Sequence, residues 1–119
     1  MNYRVVNGDL VIEDAGGRIC WQGKPEQTPV EWATSVPDSN DGLALYHYYR
    51  PDHPYGSFEN LVRVKADGAI LWHAQIPEND DKYTVARLVD RKLLAYSYGG
   101  WDVEISLDNG KIVMKRFSK

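Results

Sequence analysis

The chain has 119 residues and a formal net charge of -3, with 43% hydrophobic, 26% charged and 12% aromatic residues. That balance excludes a wholly disordered or collagen-like chain and sets the scale at one domain. Apolar runs reach only about four residues against the roughly 20 that span a bilayer. No charged-then-apolar leader opens the sequence, and the single cysteine, Cys20, has no internal disulfide partner. A cytoplasmic, reducing location is therefore expected.

Taken in chain order, strand signals dominate and no helical period appears. About eleven strands are predicted, near residues 3, 10, 18, 30, 43, 58, 70, 84, 93, 101 and 111. The clearest runs are Leu43 to Tyr48, Leu61 to Lys65, Thr84 to Val89, Leu93 to Tyr98 and Val103 to Leu107. Each is short and rich in β-branched or aromatic residues, with alternation that places Val103, Ile105 and Leu107 on one face. Gly16-Gly17, Asp67-Gly68 and Asn109-Gly110 separate runs with the dipeptides that tolerate the positive φ of tight turns. The expected architecture is all-β.

The sequence also resembles itself. Leu10-Val11-Ile12-Glu13-Asp14-Ala15-Gly16-Gly17-Arg18-Ile19-Cys20-Trp21 matches Leu61 to Trp72 at an offset of 51, with Leu, Val, Ala, Gly, Ile and Trp in place. A Pro-Glu pair follows each tryptophan, Pro25-Glu26 and Pro77-Glu78. Leu43 to Tyr48 matches Leu93 to Tyr98, aligning Tyr46 with Tyr96 and Tyr48 with Tyr98. A third hairpin, Ile105 to Met114, repeats the theme with a turn read as one residue shorter and Met114 in the tryptophan position. The chain thus divides into a partial unit (about 2–22, lacking its first strand) and two four-stranded units (about 28–76 and 82–118) within one domain, 1–119. A lone meander buries one face poorly, so successive units must stack.

Lys92-Leu93-Leu94-Ala95-Tyr96-Ser97-Tyr98-Gly99-Gly100-Trp101 through Leu107-Asp108-Asn109-Gly110-Lys111, and Asn60 to Trp72, resemble the blades of quinoprotein-like (PQQ-like) β-propellers. The resemblance implies antiparallel four-stranded blades, about two and three-quarter of them here. It carries over no cofactor or metal residue. Too few blades are present for a closed ring, so the sheets form an open array or a second copy completes the ring as a homodimer.

Chemistry-bearing motifs are sparse, and no catalytic set, metal or cofactor is expected. His47, His53 and His73 lack the spacing of a zinc site. No serine sits in a nucleophile elbow. Cys20, beside Trp21 in an apolar strand, reads as a buried inert thiol. Glu13-Asp14 and Asp80-Asp81 read as loop carboxylates. Tyr46, Tyr48, Tyr49, Tyr55, Tyr96, Tyr98 and Trp101 serve either sheet packing or a stacking surface for a ligand.

What distinguishes the units is an insertion, read as about seven residues, at Tyr49 to Ser57, which carries two prolines together with Tyr, Arg, Asp and His. Per-repeat insertions map to loops, often on a binding face. Charge is uneven as well: residues 1–60 carry nine acidic and four basic side chains, and from 26 to 60 six carboxylates (Glu26, Glu31, Asp38, Asp41, Asp52, Glu59) stand against Arg50 alone. Such a region repels nucleic acid and steers a basic protein. The expected function is a non-enzymatic protein-binding module, in its concrete form an immunity or inhibitor protein plugging a cationic toxin. Its expected contact residues are Asp38, Asp41, Arg50, Asp52, His53, Tyr55 and Glu59, with neither nucleic acid nor membrane as partner. The alternatives are a carbohydrate- or quinone-binding sensor domain and an enzyme whose site assembles only in the fold.

Overall fold

A computed structural model describes residues 1–47 and 58–118. These residues contain eleven strands and one short 3-10 turn, Pro25–Gln27. The strands are β1 Asn2–Val6, β2 Asp9–Glu13, β3 Ile19–Gly23, β4 Val30–Ser35, β5 Gly42–Tyr46, β6 Leu61–Val64, β7 Ile70–His73, β8 Tyr83–Val89, β9 Lys92–Ser97, β10 Trp101–Ile105 and β11 Ile112–Phe117. All pairing is antiparallel between neighbours in sequence, giving three sheets: β1-β2-β3, β4-β5-β6-β7 and β8-β9-β10-β11. The all-β, stacked-blade architecture read from the sequence is the one observed. Among the described residues no helix is long and apolar enough to cross a membrane.

The sheets carry the same irregularities at corresponding places. The pairing of the last two strands of each sheet shifts by one residue at Ile12/Glu13, Arg63/Val64 and Glu104/Ile105. The first pair of each four-stranded sheet shifts at Val30/Trp32 and Tyr83/Val85. Trp21 therefore stands opposite Ile12 as Trp72 stands opposite Arg63 and Met114 opposite Glu104.

Cross-strand pairing corrects two details of the sequence alignment. Ala44 pairs with Val62 as Ala95 pairs with Val103, so Tyr46 corresponds to Ser97 and Leu45 to Tyr96, one residue off the tyrosine-to-tyrosine match. The third turn is longer by one residue than the others, not shorter. The Ser106 N–H reaches the carbonyl of Lys111, whereas Asp14 reaches Arg18 and Lys65 reaches Ala69.

Two cores lie between the sheets. Tyr3, Leu10 and Ile12 meet Ala44, Tyr46, Val62 and Val64 in the first joint. In the second, Leu43, Leu45 and Leu61 meet Leu93, Ala95, Val103 and Ile105. Both joints end in one device. A Cβ added to Gly68 would stand 2.4 Å from the indole of Trp21, and one added to Gly110 would stand 2.6 Å from the indole of Trp72. Each sheet's tryptophan thus lies directly on the glycine turn of the next sheet, where a side chain would not fit. The Trp72 indole N–H also donates to the carbonyl of Leu107, 3.0 Å away.

Buried Asn60 ties the second joint. Its amide N–H groups donate to the carbonyls of Tyr46 and Tyr83, and its side-chain oxygen accepts from the Tyr83 N–H at 2.8 Å. One residue thus satisfies three backbone groups that would otherwise be stranded away from water. Cys20 departs from expectation. It is exposed, as are Leu71 and Val113 in the same place of the other sheets, because this is the extra, unpaired residue of the strand bulge.

Candidate functional site: a carboxylate edge

Arg50, Asp52, His53 and Tyr55 lie outside the described residues. The other sequence-predicted contact residues fall into two groups. Asp38 and Asp41 belong to the β4–β5 turn. Asp38 pairs with Arg91 on the surface, and Asp41 accepts from Arg63 at 2.9 Å. Arg63 also donates to the Leu107 carbonyl, so Asp41 holds a cation that braces the second joint. Glu59 lies beyond the other end of β5, beside Phe58. Five extended residues span roughly 16 Å, so the structure does not gather Glu59 with Asp38 and Asp41.

What it gathers around Glu59 is a different set. The chain after β3 makes its 3-10 turn with Glu26 in the left-handed region, φ 52°, a conformation that costs a non-glycine residue about 1 kcal/mol. There the Glu26 carboxylate accepts from the Tyr46 hydroxyl at 2.9 Å and meets His73 Nε2 at 2.7 Å. Glu26, Tyr46, Phe58, Glu59 and His73 line a cleft of about 180 Å³.

The edge continues through Phe58, whose N–H donates to the backbone carbonyl of Asp81. Asp81 is buried. One carboxylate oxygen accepts from the N–H groups of Gly99 at 2.9 Å and Lys82 at 2.8 Å. The other oxygen is buried without a hydrogen-bond partner. A Cβ on Gly99 would stand 2.9 Å from that oxygen and 3.0 Å from the Glu78 carboxylate, so the chain passes close to both acids here. Glu26 and Glu78 are the glutamates of the two Pro-Glu pairs. That repeated dipeptide marked both, and the acidic run marked Glu26 as well, whereas Asp81 read only as a loop carboxylate and His73 was weighed only as a metal ligand.

Residues 47 and 58, which flank the long β5–β6 connection, both lie at this edge; His47 meets Glu31 at 3.2 Å. The connection exceeds the estimate of about seven extra residues. Leu45 and its partner Leu61 are sixteen positions apart, whereas Tyr96 and its partner Asp102 are six apart, so the difference is ten.

A second concave surface, a groove of about 700 Å³, lies on the outward face of the last sheet. Val85, Leu94, Tyr96 and Met114 share it with Arg87, Asp102, Glu104 and Arg116. Among the described residues Tyr96 is the one aromatic ring in its lining, so they do not gather the stacked aromatics of a sugar site there. Among the described residues no three His, Cys, Asp or Glu side chains converge as metal ligands.

No family model and no curated protein matches the sequence. The fold has solved counterparts. BamB from Moraxella catarrhalis matches with a TM-score of 0.63 at 14% identity, over 99% of this chain and 33% of that one. The computationally designed Ika8 protein matches with a TM-score of 0.58 at 9% identity, over 98% of this chain and 36% of that one. The chain spans about a third of the length of these structures. At such identities the likeness concerns the fold alone, and that fold is β-propeller-like.

Proposed function

We propose that this chain is a non-enzymatic protein-binding module, built from a repeated PQQ-like blade, whose carboxylate edge receives a partner with a basic surface. The observation that carries the reading is one edge where the exposed carboxylates of Glu26, Glu59 and Glu78 lie near the flanks of the long connection, with the buried Asp81 carboxylate beside Glu78. Surrounding carboxylates would steer such a partner and make its association rate depend on salt. An immunity or inhibitor protein that covers a cationic toxin is the concrete form of this role.

Affinity capture from the source cell, followed by titration of the captured protein with the purified chain, tests the reading. The double variant Glu59→Lys, Glu78→Lys should weaken binding by roughly tenfold or more and flatten its salt dependence. Asp38→Lys, at the other end of β5, should change it little. Undiminished affinity in the double variant would overturn the assignment of this edge.

A further inference from the structure

We propose that copies of this chain associate head to tail, the outward face of β8–β11 of one copy stacking on the outward face of β1–β3 of the next, with Met114 seated on the Gly17 turn.

The internal joints define what such a contact requires, namely a large side chain opposite the strand bulge and a bare glycine turn in the following sheet. Gly17 has the same left-handed backbone as its counterparts, φ +82° against +88° at Gly68 and +75° at Gly110. Nothing lies within 4 Å of the place its Cβ would occupy. At the other end of the molecule Met114, in the tryptophan position, is 61% exposed. One turn is uncovered and one knob is unseated.

The head face also keeps the residues that the covered faces use. Val11 corresponds to Val62 and Val103 in the cores, and Ile19 corresponds to Ile70 and Ile112. Ile70 and Ile112 pack on those cores, whereas Ile19 is half exposed.

Where the outer faces depart from the inner ones, the departures are charged and complementary. On the head, Arg4 stands where the covered faces have Ala44 and Ala95, and Glu13 stands where they have Val64 and Ile105. On the tail, Asp102 and Glu104 replace Leu61 and Arg63, and Arg87 replaces Thr34. Within the chain Arg4 pairs with Glu13, and Arg116 lies 3.7 Å from Asp102; stacked as the internal sheets are, the tail's carboxylates and its Arg87 and Arg116 cations would come against that head pair. The contact is heterologous because the Met114 knob lies on the tail face and the bare Gly17 turn on the head sheet. The matched solved structures are about three times as long as this chain, so a ring of that circumference takes three copies.

Sedimentation of the 119-residue chain over a dilution series tests this. The expected mass at high concentration is three times the 13.6 kDa of one chain. Arg4→Glu on the head or Glu104→Arg on the tail should each weaken association by roughly tenfold or more, with circular dichroism unchanged. Combining both substitutions in one chain should restore association, because the reversed head of each copy then meets the reversed tail of the next. A chain that stays monomeric throughout overturns the proposal. So does an Arg4→Glu variant that keeps the wild-type mass, which would indicate a tail-to-tail contact.

Discussion

β5 and β9 occupy the same place in their sheets and have similar sequences, Gly-Leu-Ala-Leu-Tyr and Lys-Leu-Leu-Ala-Tyr-Ser, yet their burial differs completely. All five residues of β5 are buried, whereas β9 alternates between covered and partly open positions. Composition does not cause this. The middle sheet has a neighbour on each face, so Leu43 and Leu45 enter one core while Ala44 and Tyr46 enter the other. The last sheet has a neighbour on one face only. Sequence alternation therefore reports how many faces a strand has, and the stacking order decides how many of them are dry.

The contrast between covered and open positions can be broken most strongly at the knobs. Trp72→Ala and Trp21→Ala should each cost about 3 kcal/mol, the transfer and cavity cost of a large core side chain. Met114→Ala should stay within about 0.5 kcal/mol in the dilute chain, as surface changes do. Urea denaturation of the three variants measures this, and a Met114→Ala cost equal to that of the tryptophans would mean that the outer face is no different from the joints.

A smaller effect sharpens the contrast through pH. Burial pushes the Tyr83 hydroxyl well above its ordinary value of 10, and the nearby Asp81 charge adds to the shift. The hydroxyl donates to the Gln75 carbonyl at 2.5 Å. Tyr3, whose hydroxyl donates to Asn40, is raised in the same way by burial and by Asp41. The folded state holds both in the neutral form, so their contribution is complete below pH 10 and is lost as the pH rises above it toward their folded values. Stability should therefore fall on the alkaline side. Tyr83→Phe should reduce the slope there, and an unchanged slope in alkaline melts would show that this hydroxyl is not sheltered.

Much of the fold was legible in the residues. The glycine turns and short alternating runs located the strands, because a two-residue period with positive-φ breaks leaves little other choice. Register was less legible. The Tyr-x-Tyr patterns at 46–48 and 96–98 pull the alignment to the wrong residue, since identity of side chains is not identity of cross-strand partners. Cys20 was misread because its strand is apolar in composition, while its position is the extra residue of a bulge, exposed also at Leu71 and Val113.

The edge was legible only in part. Glu59 stood out through the charge run and Glu26 and Glu78 through the Pro-Glu pairs, but nothing local marks Asp81, whose environment is made by Gly99 and Phe58 from other parts of the chain. Asp38 and Asp41 belong to the same acidic run, and the antiparallel path of β5 carries them away from it.

The equivalence of the two joints is tested most directly by a mutant cycle at a glycine turn. Gly68→Ala carries two costs, the backbone strain of φ +88° and the clash with the Trp21 ring, whereas Gly17→Ala carries only the strain, about 1 kcal/mol. If the joints work as described, the cost of Gly68→Ala should fall to that of Gly17→Ala once Trp21→Ala removes the ring, and Gly110 should behave likewise with Trp72. A Gly68→Ala cost that is the same with and without Trp21, or a Gly17→Ala cost as large as the other two, would contradict it.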